Sequence, residues 1–408
     1  MPKSIAIDEF KSGGMVLLAC FIGVGAGLAS LSFYTAGIFM SAFEQEFGWT
    51  RAQISLQGLI SVGAIALLAS TVGSLADRLG ARLVATASLF CYSLSFFVLS
   101  IFTNSLGAFY AISLCSAILA VGTTPITFTR AITSWFSQSR GLALGITLVG
   151  TGVTSLLAPL YLTPYVAENG WRDGLRILGS IVFIAAVLVG LLLRDNPSKE
   201  VAEKPSGESG GNDGSYANVD STRRVFVLLA LIFSLVALAV GGMIVHFIPM
   251  LNDAEVPPAK AGQLASVIGL SVIVGRLGTG VLIDRFFAPR VASMLFALSA
   301  LGYTVFILGG AEVAVFAAVA VGLSMGAEVD LIAFLTSRYF RFSSYGKTYG
   351  ALYAFFVTGA AVSPVLMGYS FDNLGAYDAA IAFSIVCLAL ASCCALLLPR
   401  YPTELGTQ

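Results

Sequence analysis

The chain has 408 residues, of which 57% are hydrophobic and 11% charged, with 22 basic residues balancing 22 acidic ones. At a mean hydropathy of +0.89 there is too little polar surface to cover a water-soluble globule, so lipid must supply the missing solvent. A net charge of zero gives no electrostatic basis for nucleic-acid binding, and all six cysteines (Cys20, Cys91, Cys115, Cys387, Cys393 and Cys394) lie in apolar stretches as small packing residues, against a disulfide or metal reading.

The opening MPKSIAIDEFKSGG runs into an apolar segment longer than the roughly 7–15-residue core of a signal peptide, so the first helix is expected to be retained. Segments of roughly 20 apolar residues, enough to cross a bilayer core, recur twelve times. They fall near 13–40, 52–75, 81–102, 106–134, 141–165, 174–193, 223–250, 259–283, 289–309, 313–337, 346–371 and 376–398, and are called spans one to twelve. Between spans six and seven, residues 194–222 are rich in Gly, Ser, Asn, Asp, Glu and Lys and cannot bury a core. This reads as a flexible linker between an N-terminal half, 1–193, and a C-terminal half, 223–408. The architecture predicted is therefore an all-α membrane protein.

Basic residues orient the spans, because cytoplasmic loops carry the excess of Lys and Arg. With the N-terminus inside, sixteen of the 22 fall on the cytoplasmic side, four (Arg51, Arg172, Arg176 and Lys260) fall outside, and Arg130 and Arg276 lie within spans. Both termini are then cytoplasmic. The halves also repeat: Asp77-Arg78 returns as Asp284-Arg285 after 207 residues, Trp135-Phe136 as Tyr339-Phe340 after 204, and Pro159 and Gly170 as Pro364 and Gly375 after 205. A near-constant offset argues for a duplicated six-helix unit, an arrangement suited to alternating access around a mid-membrane site.

The loops after spans two and eight read GSLADRLGAR (Gly73 to Arg82) and GVLIDRFFAPR (Gly280 to Arg290). Both resemble the signature of the major facilitator superfamily, in which small residues admit close helix packing and the charges latch the cytoplasmic side. The resemblance implies a fold of twelve helices in two pseudo-symmetric halves, with Gly73, Asp77, Arg78, Gly80, Arg82, Asp284 and Arg285 as gate residues. The second copy lacks the later glycine. Within the superfamily, WFSQSRGLALGITLVGTG, FGWTRAQIS, GWR, VHFIPM and SRYFRFSSYGKTYG leading to FDNLGAY are similar to the monocarboxylate porter and oxalate/formate antiporter branch. The chain departs from that branch in having no lysine within span one, none deep in span eleven, and Val272 where an aspartate stands one turn before Arg276. Those departures argue against an animal-type proton relay and against a dianionic oxalate substrate.

Inside the spans the ionisable residues are Arg130, His246, Arg276, Glu328 and Asp330. Each costs roughly 2.5–3.5 kcal/mol at mid-membrane if it faces lipid, so these side chains belong in the protein interior or a wet cavity. Counted from Asp284 and Arg338, Arg276 and Asp330 each lie eight residues in, roughly 12 Å deep. Arg276 presents a planar fork of donors to a carboxylate and stays charged, and it coincides with the span-eight arginine that the resemblance implies for substrate; a structural ion pair with Glu328 or Asp330 is the competing reading. Glu328 and Asp330 are two residues apart and point about 200° away from each other on a helix, so one faces the cavity and the other packs against a neighbour. Burial disfavours a charged carboxylate and a nearby arginine favours it, the competition a proton carrier needs; charge compensation of Arg276 is the alternative role for the pair.

The lone histidine, His246, precedes Pro249 by three residues and reads either as a hydrogen-bonded core residue or as a titratable substrate contact. Arg130 either clamps a departing anion or latches the cytoplasmic gate. Tyr34 and Tyr353 offer hydroxyls to a substrate or pack as ordinary aromatics. No Gly-Lys-Ser/Thr phosphate loop, paired histidines, cysteine cluster or Gly-x-Ser-x-Gly elbow occurs, so neither ATP-driven transport, a cofactor, a metal nor enzymatic chemistry is expected. The function expected is secondary active uptake of a small organic anion with a proton by a monomeric carrier in the cell inner membrane. Exchange or efflux is the second carrier reading, lowered by a span five, GTGVTSLLAP, without the Gly-Pro-x-x-Gly-Gly character of drug/proton antiporters. A non-transporting membrane receptor is the third.

Overall fold

The computed structural model describes residues 3–195, 219–340 and 345–401; most of the linker expected at 194–222 therefore lies outside the described residues. Among them every regular element is helical, as lipid requires of a backbone whose N–H and C=O groups must all find internal partners. Eleven continuous apolar runs in the described residues are long enough to cross a bilayer. The longest, Ala288–Tyr339, holds two crossings joined by a 3-10 turn at Gly310–Val313, which gives twelve spans. Contacts divide the described residues into two compact units, one drawn from 1–205 and 257–266, the other from 206–256 and 267–408.

In the first unit, span one is not the uninterrupted helix that its apolar run suggests. It breaks between helices Lys3–Gly25 and Leu28–Phe47. Span four also breaks, into Leu106–Ala120, a 3-10 turn Val121–Thr123, and Pro125–Trp135. The two breaks hold each other. The Thr123 hydroxyl accepts the Leu28 N–H at 2.9 Å and donates to the Ala120 carbonyl at 2.7 Å, while Thr154 donates to the Gly25 carbonyl at 2.8 Å and Ser30 to the Val24 carbonyl at 2.7 Å. Hydroxyls thereby satisfy backbone groups that a broken helix leaves orphaned in lipid. Gly27 is required because a Cβ there would run into the Thr123 carbonyl.

At one end of this unit the FGWTR and GWR segments converge. Trp49 stacks on Phe47 with ring centroids 4.4 Å apart, and Glu46 accepts the Trp171 indole N–H at 2.6 Å and pairs with Arg172 at 2.7 Å. Thr50 and Gln53 form a reciprocal capping box that starts span two.

The second unit is built on two close crossings of small residues. Between spans seven and eleven, a Cβ on Gly241 would meet the Ala360 backbone, and one on Gly359 would meet Ala237 and the Ser234 carbonyl. Here Ser363 reaches the backbone of span seven: its hydroxyl accepts the Gly242 N–H at 2.7 Å and donates to the Leu238 carbonyl one turn earlier. Between spans eight and ten, Gly322 and Gly326, one turn apart, press on the backbone from Ile268 to Arg276. That contact sets the register that brings Arg276 level with Asp330, one turn beyond Gly326.

Gly326→Val would drive a side chain into the Val272 carbonyl and the Arg276 amide. Overpacking of this kind costs about 1–3 kcal/mol, so the variant is expected to unfold at a lower temperature in detergent, with less monodisperse protein on size exclusion. An unchanged unfolding midpoint would mean that the two helices do not rely on this contact.

Candidate functional site

Asp330 Oδ2 stands 3.7 Å from Arg276 Nε, an ion-pair distance too long for a hydrogen bond. The Arg276 side chain is 12% exposed and that of Asp330 30%, so the pair sits at the edge of its unit and not in a sealed core. Tyr353 of span eleven lies within electrostatic reach of Arg276 and is stacked on Tyr349 at 5.9 Å with rings 11° from parallel. These groups could meet an anion together: a guanidinium, a phenol hydroxyl and an acid that sets the local charge.

Glu328 points elsewhere. It is wholly buried, and neither carboxylate oxygen has a hydrogen-bond partner among the described residues. Tyr303 of span nine, whose hydroxyl reaches the Ala239 carbonyl at 3.4 Å, is within electrostatic reach of it. The two acids that alternate in sequence thus occupy different surroundings.

His246 is also fully buried. Its Nε2 lies 2.8 Å from the Pro364 carbonyl and its Nδ1 2.9 Å from the Tyr377 hydroxyl. A carbonyl only accepts, so Nε2 carries the proton, and in the neutral ring Nδ1 then accepts from Tyr377. The ring ties spans seven, eleven and twelve together inside the second unit. Tyr34 is 7% exposed and packs edge-on to Phe33 at 5.6 Å within the first unit.

The signature loops can be read atom by atom. Arg130 pairs with Asp77 at 2.6 Å and donates to the Ala76 carbonyl, closing spans two and four together. Gly80 has φ of +87°, which favours glycine, and a Cβ there would collide with the Asp195 carboxylate. That carboxylate accepts from the Ala81 N–H at 2.8 Å and caps span three, while Arg82 donates to the Gly190 carbonyl at 2.8 Å. Gly73 has no neighbour within 4 Å of a would-be Cβ, and Arg78 is exposed. Glu9 gathers the loop after span four, accepting the backbone N–H groups of Ser137, Gln138 and Ser139 at 3.0–3.1 Å and the Ser137 hydroxyl at 2.8 Å.

Asp284 and Arg285 in the second copy are exposed. There the Ala288 N–H meets the Tyr401 hydroxyl at 3.1 Å, a neutral replacement for the Asp195 cap. The repeat persists in hydrogen bonds as well: the Trp135 indole donates to the Arg194 carbonyl in one unit, and the Tyr339 hydroxyl to the Pro399 carbonyl in the other. Sequence reading missed Glu9, Asp195, Ser363 and Tyr377.

The sequence model of the Major Facilitator Superfamily matches residues 22–340 and 256–408. The chain belongs to the Major Facilitator Superfamily. It is accordingly a multi-pass membrane transporter and not an enzyme. Among superfamily relatives it is 28% identical to monocarboxylate transporter 13 of Rattus norvegicus (95% of this chain and 89% of that one), and 29% identical to monocarboxylate transporter 11 of Homo sapiens (81% and 72%). It is 24% identical to the uncharacterized MFS-type transporter YhjX of Escherichia coli (81% and 82%). Crystal structures of a bacterial homolog of the human lysosomal transporter Spinster (TM-score 0.69, 17% identity, 96% and 97% covered) and of the nucleoside transporter NupG (0.73, 12%, 95% and 99%) share the fold.

In this Major Facilitator Superfamily member, Tyr377→Phe would strip a buried imidazole of one partner. An unsatisfied buried polar group costs about 1–3 kcal/mol, so a lower thermal unfolding midpoint is expected in detergent. A midpoint equal to that of the unmodified protein would show that the His246 clamp contributes nothing to stability.

Proposed function

We propose that the chain is a secondary carrier that takes up small organic monoanions, monocarboxylates foremost, together with a proton. The observation that carries this reading is Arg276: a guanidinium in a membrane helix, partly exposed, beside Asp330 and Tyr353. A guanidinium fork matches the two oxygens of a carboxylate, and a neighbouring acid keeps the empty site from holding an uncompensated charge. The similarity to rat and human monocarboxylate transporters supports a monocarboxylate cargo.

Proton coupling follows from energetics. Moving an anion alone into a negative-inside cell costs about 2.3 kcal/mol per charge at 100 mV, and a co-transported proton cancels that term. The acids of span ten, Glu328 and Asp330, are the groups assigned to coupling. Arg130, His246, Tyr34 and Tyr353 are the remaining substrate-contact candidates, and of these Tyr353 has the strongest support because it neighbours Arg276. Asp77 with Arg130, Gly73, Arg78, Gly80 and Arg82, and Asp284 with Arg285, form the gate. The distribution of Lys and Arg supports cytoplasmic termini, and the carrier is read as a monomer in the cell inner membrane.

Arg276→Lys keeps the charge and removes the fork. Loss of a charge-assisted hydrogen bond, about 1.5–3 kcal/mol, predicts a fall in initial uptake on the order of tenfold or more, with folded yield unchanged. Uptake kinetics in Arg276→Lys and Arg276→Ala that equal those of the unmodified carrier would remove this residue from the binding site. Collapse of folded yield in Arg276→Ala, with Arg276→Lys fully active, would make it structural.

A further inference from the structure

Each unit joins two of its spans through a buried pair of serines. In the first, the hydroxyls of Ser95 and Ser116 lie 2.7 Å apart, joining spans three and four; in the second, Ser299 and Ser324 lie 2.7 Å apart, joining spans nine and ten. These buried serine pairs bring the spans into register. Four residues beyond Ser324, in a helix that runs on unbroken, stands Glu328, wholly buried.

Glu328 serves neither as a counter-ion nor as a hydrogen-bonding anchor. Arg276 has Asp330, two residues on and on the other side of span ten. The titratable group that faces Glu328 is Tyr303 of span nine. Both Glu328 oxygens remain without a hydrogen-bond partner among the described residues. A carboxylate in that position would be uncompensated and unsolvated, whereas an un-ionised acid would lose far less on burial.

We propose that Glu328 is the proton-binding group of the carrier, holding its proton in this conformation and releasing it to water when the bundle opens. This rests on the carboxylate-uptake reading above and divides the labour of span ten: Asp330 positions Arg276, and Glu328 carries the proton. The proton leaves the Glu328 carboxyl for water on the delivery side and is replaced from water on the other. Anion and proton cross together with no net charge moved.

The test combines one measurement that needs no substrate with one that does. In purified protein at neutral pH, infrared difference spectra should contain the carbonyl stretch of an un-ionised carboxylic acid, lost in Glu328→Gln and kept in Asp330→Asn. In liposomes with a proton gradient of about one pH unit, labelled lactate should accumulate about tenfold in the unmodified carrier. In Glu328→Gln it should not accumulate, while counterflow exchange of labelled for unlabelled lactate persists and reports a folded protein. Absence of the acid band from the unmodified protein, its survival in Glu328→Gln, or tenfold accumulation by Glu328→Gln would each overturn the proposal. Failure of the unmodified carrier to move lactate would instead overturn the carboxylate reading, leaving the infrared band to decide whether Glu328 holds a proton.

Discussion

A guanidinium inside a lipid-covered helix bundle needs an anion beside it, and that requirement organises the second unit. Asp330 meets it for Arg276. The encounter depends on backbone contact two turns long, where Gly322 and Gly326 let span ten lie against span eight. Larger residues there would separate the helices and leave both charges to find partners elsewhere, at a cost of several kcal/mol for each buried ion. The glycines thus belong to the electrostatics of the site as much as to its packing. The pair is partly exposed and held at 3.7 Å, looser than a hydrogen-bonded ion pair.

The same scarcity of water explains where hydroxyls are spent. Thr123, Thr154 and Ser30 satisfy the broken ends of spans one and four, and Ser363 joins span eleven to the backbone of span seven. Each allows a membrane helix to bend without leaving backbone groups bare. His246 does similar work with an imidazole, tying three spans through one carbonyl and one phenol. Ordered interruptions of this kind let a helix change shape while keeping its hydrogen bonds, which a carrier that alternates between conformations requires.

The spans themselves were plain in the sequence, because lipid permits few polar residues over twenty positions and the hydropathy of the chain obeys that limit. The level shared by Arg276 and Asp330 was also legible, since helical rise converts residue counts to depth. What sequence could not give is any partnership made across the chain. The break in span one sits in an apolar run and is held by a threonine 95 residues away; the tyrosine on His246 lies 131 residues downstream. Helical phase separated Glu328 from Asp330 but could not say which was sealed. That answer comes from the packing of span nine against span ten, set by a pair of serines no motif marks.

The central claim is that anion and proton move together, and substrate-driven proton entry measures it most directly. The unmodified carrier would be reconstituted into liposomes with a lumenal pH indicator and offered poorly permeant monocarboxylates, with dicarboxylates and neutral analogues as comparison. The account predicts lumenal acidification that needs both protein and a monocarboxylate, and that persists when the membrane potential is clamped at zero. Uptake of labelled monocarboxylate without acidification, or acidification equal to that of protein-free liposomes, would contradict it.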